Sequence, residues 1–111
     1  MPTSAFLGEW EQLVLLAILR QRDAAYVIGL RSHLTGVMGR TPSRGALYRT
    51  LDRLEEKGYV SSAFSDPTPE RGGRSKRYFR INPLGMRTLR ASREALTAMW
   101  EGLELRVQRG S

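Results

Sequence analysis

A chain of 111 residues with 41% hydrophobic content encloses one small core, and a domain of this size buries only about two thirds of its unfolded surface. Zero cysteines exclude disulfides and thiolate metal sites, and a single histidine cannot build an imidazole site, so no cofactor is expected and a reducing, cytoplasmic setting is. The net charge of +7 is concentrated between residues 40 and 81, which carry ten cations against five acids, and that surplus points to an anionic partner.

The first predicted helix, Glu9 to Arg20, opens with acids suited to a helix N-terminus. It continues as Leu13-Val14-Leu15-Leu16-Ala17-Ile18-Leu19, an apolar run that cannot all face one side, so more than one face must be covered. Asp23 is placed to cap a second helix from Ala24 to about Leu34, with Tyr26, Leu30 and Leu34 one turn apart and Gly36 ending it. Thr41-Pro42-Ser43 reads as an N-cap turn. From Ala46 the apolar set Leu47, Leu51 and Leu54 defines a third helix, stopped by Gly58 after Lys57.

Tyr59 to Phe64 reads as a strand, Ser65 to Glu70 as a turn with two prolines, and Ser75 to Ile81 as the returning strand of a two-stranded hairpin. Asn82-Pro83 then supplies a cap and a proline at the first helical position of a last helix reaching about Gln108. No apolar run approaches the ~20 residues of a membrane span, and no secretory leader pattern follows Met1.

Helix, helix, helix, hairpin, helix is the order of a winged helix-turn-helix with a C-terminal addition, so the expected class is α+β, mainly α. Residues 1–81 form the DNA-binding unit in this reading, and residues 82–111 a dimerisation helix. In such domains the third helix enters the major groove by its N-terminal residues. Ser43 leaves the N–H groups of Arg44, Gly45 and Ala46 directed at a phosphate, Gly45 permits close approach of the backbone, and Arg44, Tyr48 and Arg49 meet the duplex. Arg53 and Lys57 sit among Asp52, Glu55 and Glu56 and read as a solvated face.

The wing is the segment Arg71-Gly72-Gly73-Arg74-Ser75-Lys76-Arg77-Tyr78-Phe79-Arg80, five cations and no acid around a glycine pair that can make a tight turn. Strand alternation puts Phe79 and Ile81 in the core and Tyr78 and Arg80 on the other face with Arg74 and Lys76. Arg77 lies on the Phe79 face but nearer the tip, within reach of backbone phosphate. The expected DNA contacts are therefore Ser43, Arg44, Gly45, Tyr48, Arg49, Arg71, Gly72, Gly73, Arg74, Lys76 and Arg77.

In the last helix Met86, Leu89, Arg93, Leu96, Trp100, Leu103 and Val107 alternate in threes and fours, which is a coiled-coil seam. A helix of about 25 residues spans about 37 Å, too long for one small domain to cover, so a twofold homodimer is expected. The expected interface or effector residues are Trp10, Val14, Leu89, Leu96, Trp100 and Leu103. Trp100 has two readings, a filler of the seam or a stacking platform for a planar small-molecule effector.

Leu7-Gly8-Glu9, Gly45-Ala46-Leu47-Tyr48, Leu51 through Val60, and Glu70-Arg71-Gly72-Gly73-Arg74 with Lys76-Arg77-Tyr78-Phe79-Arg80 resemble the PadR family of bacterial transcriptional regulators. The likeness is to its short members with one C-terminal helix, and Met99-Trp100-Glu101-Gly102-Leu103 is similar to their tails. It implies a sequence-specific DNA-binding repressor; the symmetry of the expected homodimer predicts a palindromic operator, and the stacking reading of Trp100 adds release by a small hydrophobic effector. Many members carry His-Gly-Tyr-Glu where this chain has Ala24-Ala25-Tyr26-Val27, so only Tyr26 matches. The alternative is a basic winged-helix module that binds nucleic acid or a protein without operator specificity. An enzyme is not expected, because His33 has no cysteine or evident triad to work with and residues 71–76 lack phosphate-loop spacing.

Overall fold

The computed structural model describes residues 6–22, 25–65 and 76–103. Its elements run α1 (Glu9–Arg20), β1 (Ala25–Tyr26), α2 (Val27–Met38), α3 (Arg44–Glu56), β2 (Val60–Phe64), β3 (Arg77–Ile81) and α4 (Pro83–Trp100). Among the described residues no helix is long and apolar enough to cross a membrane.

Helix α1 has the bounds its sequence suggests, and the apolar run divides between faces: Val14, Leu15, Ala17 and Ile18 are buried while Leu16 is exposed. The second helix differs from expectation. It begins at Val27 after Tyr26 in extended conformation and ends at Gly39, whose φ of 77° is left-handed, rather than near Gly36. Asp23 and Ala24 lie outside the described residues. Ala25 and Tyr26 are withdrawn from the helix because they pair antiparallel with β3, Ala25 opposite Phe79 and Tyr26 opposite Tyr78. The expected two-stranded hairpin is thus a three-stranded sheet in the order β1-β3-β2.

Helix α3 buries Leu47, Thr50, Leu51 and Leu54 and closes in a Schellman turn. The Tyr59 N–H donates to the Leu54 carbonyl at 2.9 Å and the Gly58 N–H to the Glu55 carbonyl at 3.0 Å, with Gly58 at φ 82°. That turn delivers Val60 into β2, which pairs with β3 from Val60 opposite Ile81 to Phe64 opposite Arg77. Phe79, fully buried, joins Val14, Ile18, Leu30, Leu34, Leu47, Leu51 and Leu54 in one core, where each large apolar side chain contributes roughly 1.5–3 kcal/mol.

Pro83 starts α4 as its missing N–H permits, but Asn82 makes no side-chain cap to the helix. Its amide instead donates to the Gly58 carbonyl at 3.1 Å and accepts from Ser61 Oγ at 3.0 Å, tying α4 to the Schellman turn. Gly85 packs so closely on Tyr59 that a Cβ there would overlap the Tyr59 carbonyl oxygen. As an element α4 ends at Trp100, with Gly102 left-handed at φ 81°, so it has 18 residues and a length of about 27 Å rather than the expected 37 Å. Val107 of the expected seam lies outside the described residues.

Candidate nucleic-acid interface

The loop between α2 and α3 is held before any ligand arrives. Arg31 Nε donates to the Pro42 carbonyl at 3.1 Å, and Thr35 Oγ1 bonds both the Arg31 carbonyl and Thr41 Oγ1. Ser43, extended at φ −68° and ψ 150°, then caps α3, its Oγ accepting from the Ala46 N–H at 3.0 Å. That bond corrects one expectation, since the Ala46 N–H is used by the cap and is not directed at a phosphate. The Arg44 and Gly45 N–H groups have no acceptor among the described residues, and both residues are exposed.

With the inner face of α3 in the core, Arg44, Gly45, Tyr48, Arg49 and Asp52 occupy its outer face. Tyr48 is exposed rather than buried. At Gly45 a Cβ would meet only the Arg49 side chain, so the surface there is open to a close-lying backbone. The first turn of α3 holds no acid, and its free N–H groups and dipole favour an anion. Lys57 is drawn to Glu11 of α1 at 3.4 Å, in keeping with a solvated charge pair.

The base of the wing is well defined. Beyond the strand ends the pairing continues, with the Ser65 N–H donating to the Lys76 carbonyl at 2.9 Å and the Lys76 N–H to Ser65 Oγ at 3.0 Å. Lys76 is exposed. Arg71, Gly72, Gly73 and Arg74, the expected tip contacts, lie outside the described residues. Tyr78 packs edge-on against Tyr26 with ring centroids 5.9 Å apart, and Arg80 lies over the Tyr78 ring at 5.7 Å. Arg77 differs from the other cations: its guanidinium reaches Glu55 Oε1 at 2.8 Å and Asp52 Oδ1 at 3.1 Å, and stacks 4.8 Å from the Phe79 centroid.

Helices α4 and α1 flank an open cleft of about 790 Å³. It is lined by Leu16, Leu19, Leu89, Leu96 and Trp100, with Arg90 and Arg93 at its edge. Leu96 is 54% and Trp100 51% exposed, and Leu103 and Met99 are exposed beside them. Two expected interface residues sit elsewhere. Val14 is 0% exposed inside its own core, and Trp10 points to α3, its indole N–H donating to Thr50 Oγ1 at 2.6 Å. Leu16 stands where Val14 was expected; helical period restricts the core stripe of α1, but it does not say which residue of an all-apolar run is left out.

Solved structures resemble this chain over most of its length. A PadR-like transcription factor from Bacteroides fragilis is 22% identical, covering 92% of this chain and 89% of its own, with a TM-score of 0.62. A PadR family transcriptional regulator from Eggerthella lenta is 25% identical with coverages of 86% and 81% and a TM-score of 0.65. One from Clostridium difficile is 16% identical with coverages of 90% and 99% and a TM-score of 0.69. No curated protein sequence matches the chain. Residues 15–91 match the model of the transcriptional regulator PadR-like family. With most of the chain inside that match, and a capped helix presenting Arg44 and Arg49 outward beside the base of a wing, this protein belongs to the PadR-like family and is a DNA-binding transcription regulator rather than an enzyme.

Proposed function

We propose that the protein is a homodimeric repressor that binds a palindromic operator in the cytoplasm. Residues 1–81 act as the reading unit and residues 82–111 as the dimerising helix. The observation that carries this reading is the outer face of α3, where Arg44, Tyr48 and Arg49 stand exposed on a helix whose other face is sealed in the core. Arg44 and Arg49 read guanine edges, Ser43 and Gly45 let the backbone approach, and Tyr48 positions through its hydroxyl. The wing, Arg71, Gly72, Gly73, Arg74 and Lys76, supplies phosphate contacts.

Dimerisation is supported by the exposed apolar face of Leu16, Leu96, Met99, Trp100 and Leu103, which a second copy would cover. The cleft beside Trp100 has the volume of a ligand site, and a planar hydrophobic effector stacking on that indole would alter the packing of α1 and α4 on which half-site spacing depends. Trp100 fluorescence that stays constant across a panel of planar hydrophobic compounds would remove the effector from this reading.

Selection of binding sites from random duplex is the decisive experiment. An inverted repeat with half-sites about 10 bp apart, or a multiple of that, is the expected product. With the three wing cations Arg71, Arg74 and Lys76 of each protomer on phosphate, the log-log salt slope should be about −5. Enrichment of no sequence, with binding that follows charge alone, would replace the operator-specific reading by that of a general nucleic-acid module.

A further inference from the structure

Arg77 lies in the basic wing, yet its surroundings are unlike those of a phosphate contact. Its side chain is 24% exposed, whereas Lys76 beside it faces solvent. The guanidinium donates through Nη2 to Glu55 Oε1 at 2.8 Å and to Asp52 Oδ1 at 3.1 Å, and through Nε to Ser62 Oγ at 3.2 Å. Ser62 passes the interaction on, its Oγ donating to Glu55 Oε2 at 2.9 Å and its N–H to the same oxygen at 3.2 Å. The ring of Phe79 supports the cation from below. One planar fork thus joins β3, β2 and the second half of α3, a geometry that needs arginine's several fixed donors.

The acids it holds matter for the outer face of α3. Asp52 is one turn beyond Tyr48, its side chain 57% exposed, so an uncompensated carboxylate there would repel the phosphates flanking the groove that the outer face of α3 enters. We propose that Arg77 is a positioning residue: it locks the base of the wing onto α3 and neutralises Asp52 and Glu55, and makes no contact with DNA itself. This rests on the reading of α3 and the wing as the DNA-facing elements.

The test uses the full chain, a duplex recovered by selection and a random-sequence duplex of equal length, each titrated over a potassium chloride series. Arg77→Ala should bind the selected duplex about tenfold more weakly while keeping the parental salt slope, because no phosphate contact is lost. Lys76→Ala, the comparison, should flatten the slope by about 0.9 for each contact removed. Arg77→Lys keeps the charge that offsets the acids but not the fork, and should bind more weakly than the parent and more tightly than Arg77→Ala. A flattened slope in Arg77→Ala, or parental affinity in Arg77→Lys, would overturn the proposal. A second arm needs no DNA: in urea unfolding, Arg77→Ala combined with Glu55→Gln should lose less stability than the sum of the two single losses, and additive effects would likewise overturn it. If the unaltered protein bound neither duplex, the functional reading would fail, and the unfolding cycle would still decide whether Arg77 ties wing to helix.

Discussion

Arg44 opens α3 and Arg49 lies in its second turn; the first turn holds no acid, and among the described residues neither guanidinium has an ion-pair partner. Arg49→Ala is therefore expected to relax preference at one base position, at a cost of about 1–3 kcal/mol against the best base, while joint alteration of Arg74 and Lys76 to alanine weakens all duplexes alike. Quantitative binding to a library of single-position operator variants checks this, and equal loss on every sequence for Arg49→Ala would refute the division of labour. At this scale the cap was legible because a serine before an apolar period has one local use. Arg77 was half legible: strand alternation assigned it to the Phe79 face, but its partners Asp52 and Glu55 come from α3, 25 and 22 residues earlier in the chain, and alternation says nothing about a neighbouring element.

Among elements, α4 is attached through a close glycine contact and a buried serine. Gly85→Ala pushes a methyl into the Tyr59 carbonyl at the exit of the Schellman turn, and the overpacking is expected to cost about 1–3 kcal/mol, seen as a lower urea midpoint with an unchanged m-value. On the same helix buried Ser92 accepts the Leu7 N–H at 2.9 Å and donates to the Thr88 carbonyl. Ser92→Ala leaves that N–H unpaired, with an expected loss of about 1–3 kcal/mol, whereas the nearby exposed Thr97→Ala should leave the midpoint within error. Helices α1 and α3 were legible from apolar period and end signals. Strand β1 was not, because two residues carry no period; only their pairing with Phe79 and Tyr78 makes Ala25 and Tyr26 extended. The end of α4 was misplaced since apolar spacing continues past Gly102, while the backbone turns there.

For the whole molecule the apolar face shared by α1 and α4 is where the proposed second copy would dock. Trp100→Glu places a charge in the middle of that face and is expected to convert a dimer into a monomer by light scattering, with loss of tight binding to an inverted repeat but retention of the folded far-UV spectrum. A parent chain already monomeric at micromolar concentration would remove the dimer from the proposal. By itself the sequence determined the helix order, the cap of α3, the concentration of cations between residues 40 and 81 and the family, because each of these is written in local spacing or composition. Tertiary structure alone decided that Val14 is core and Leu16 surface, that Trp10 bonds Thr50, that a third strand joins the hairpin, and that Arg77 is paired with two acids of α3. Those are contacts between segments far apart in the chain, and which faces meet is fixed only when every element packs at once.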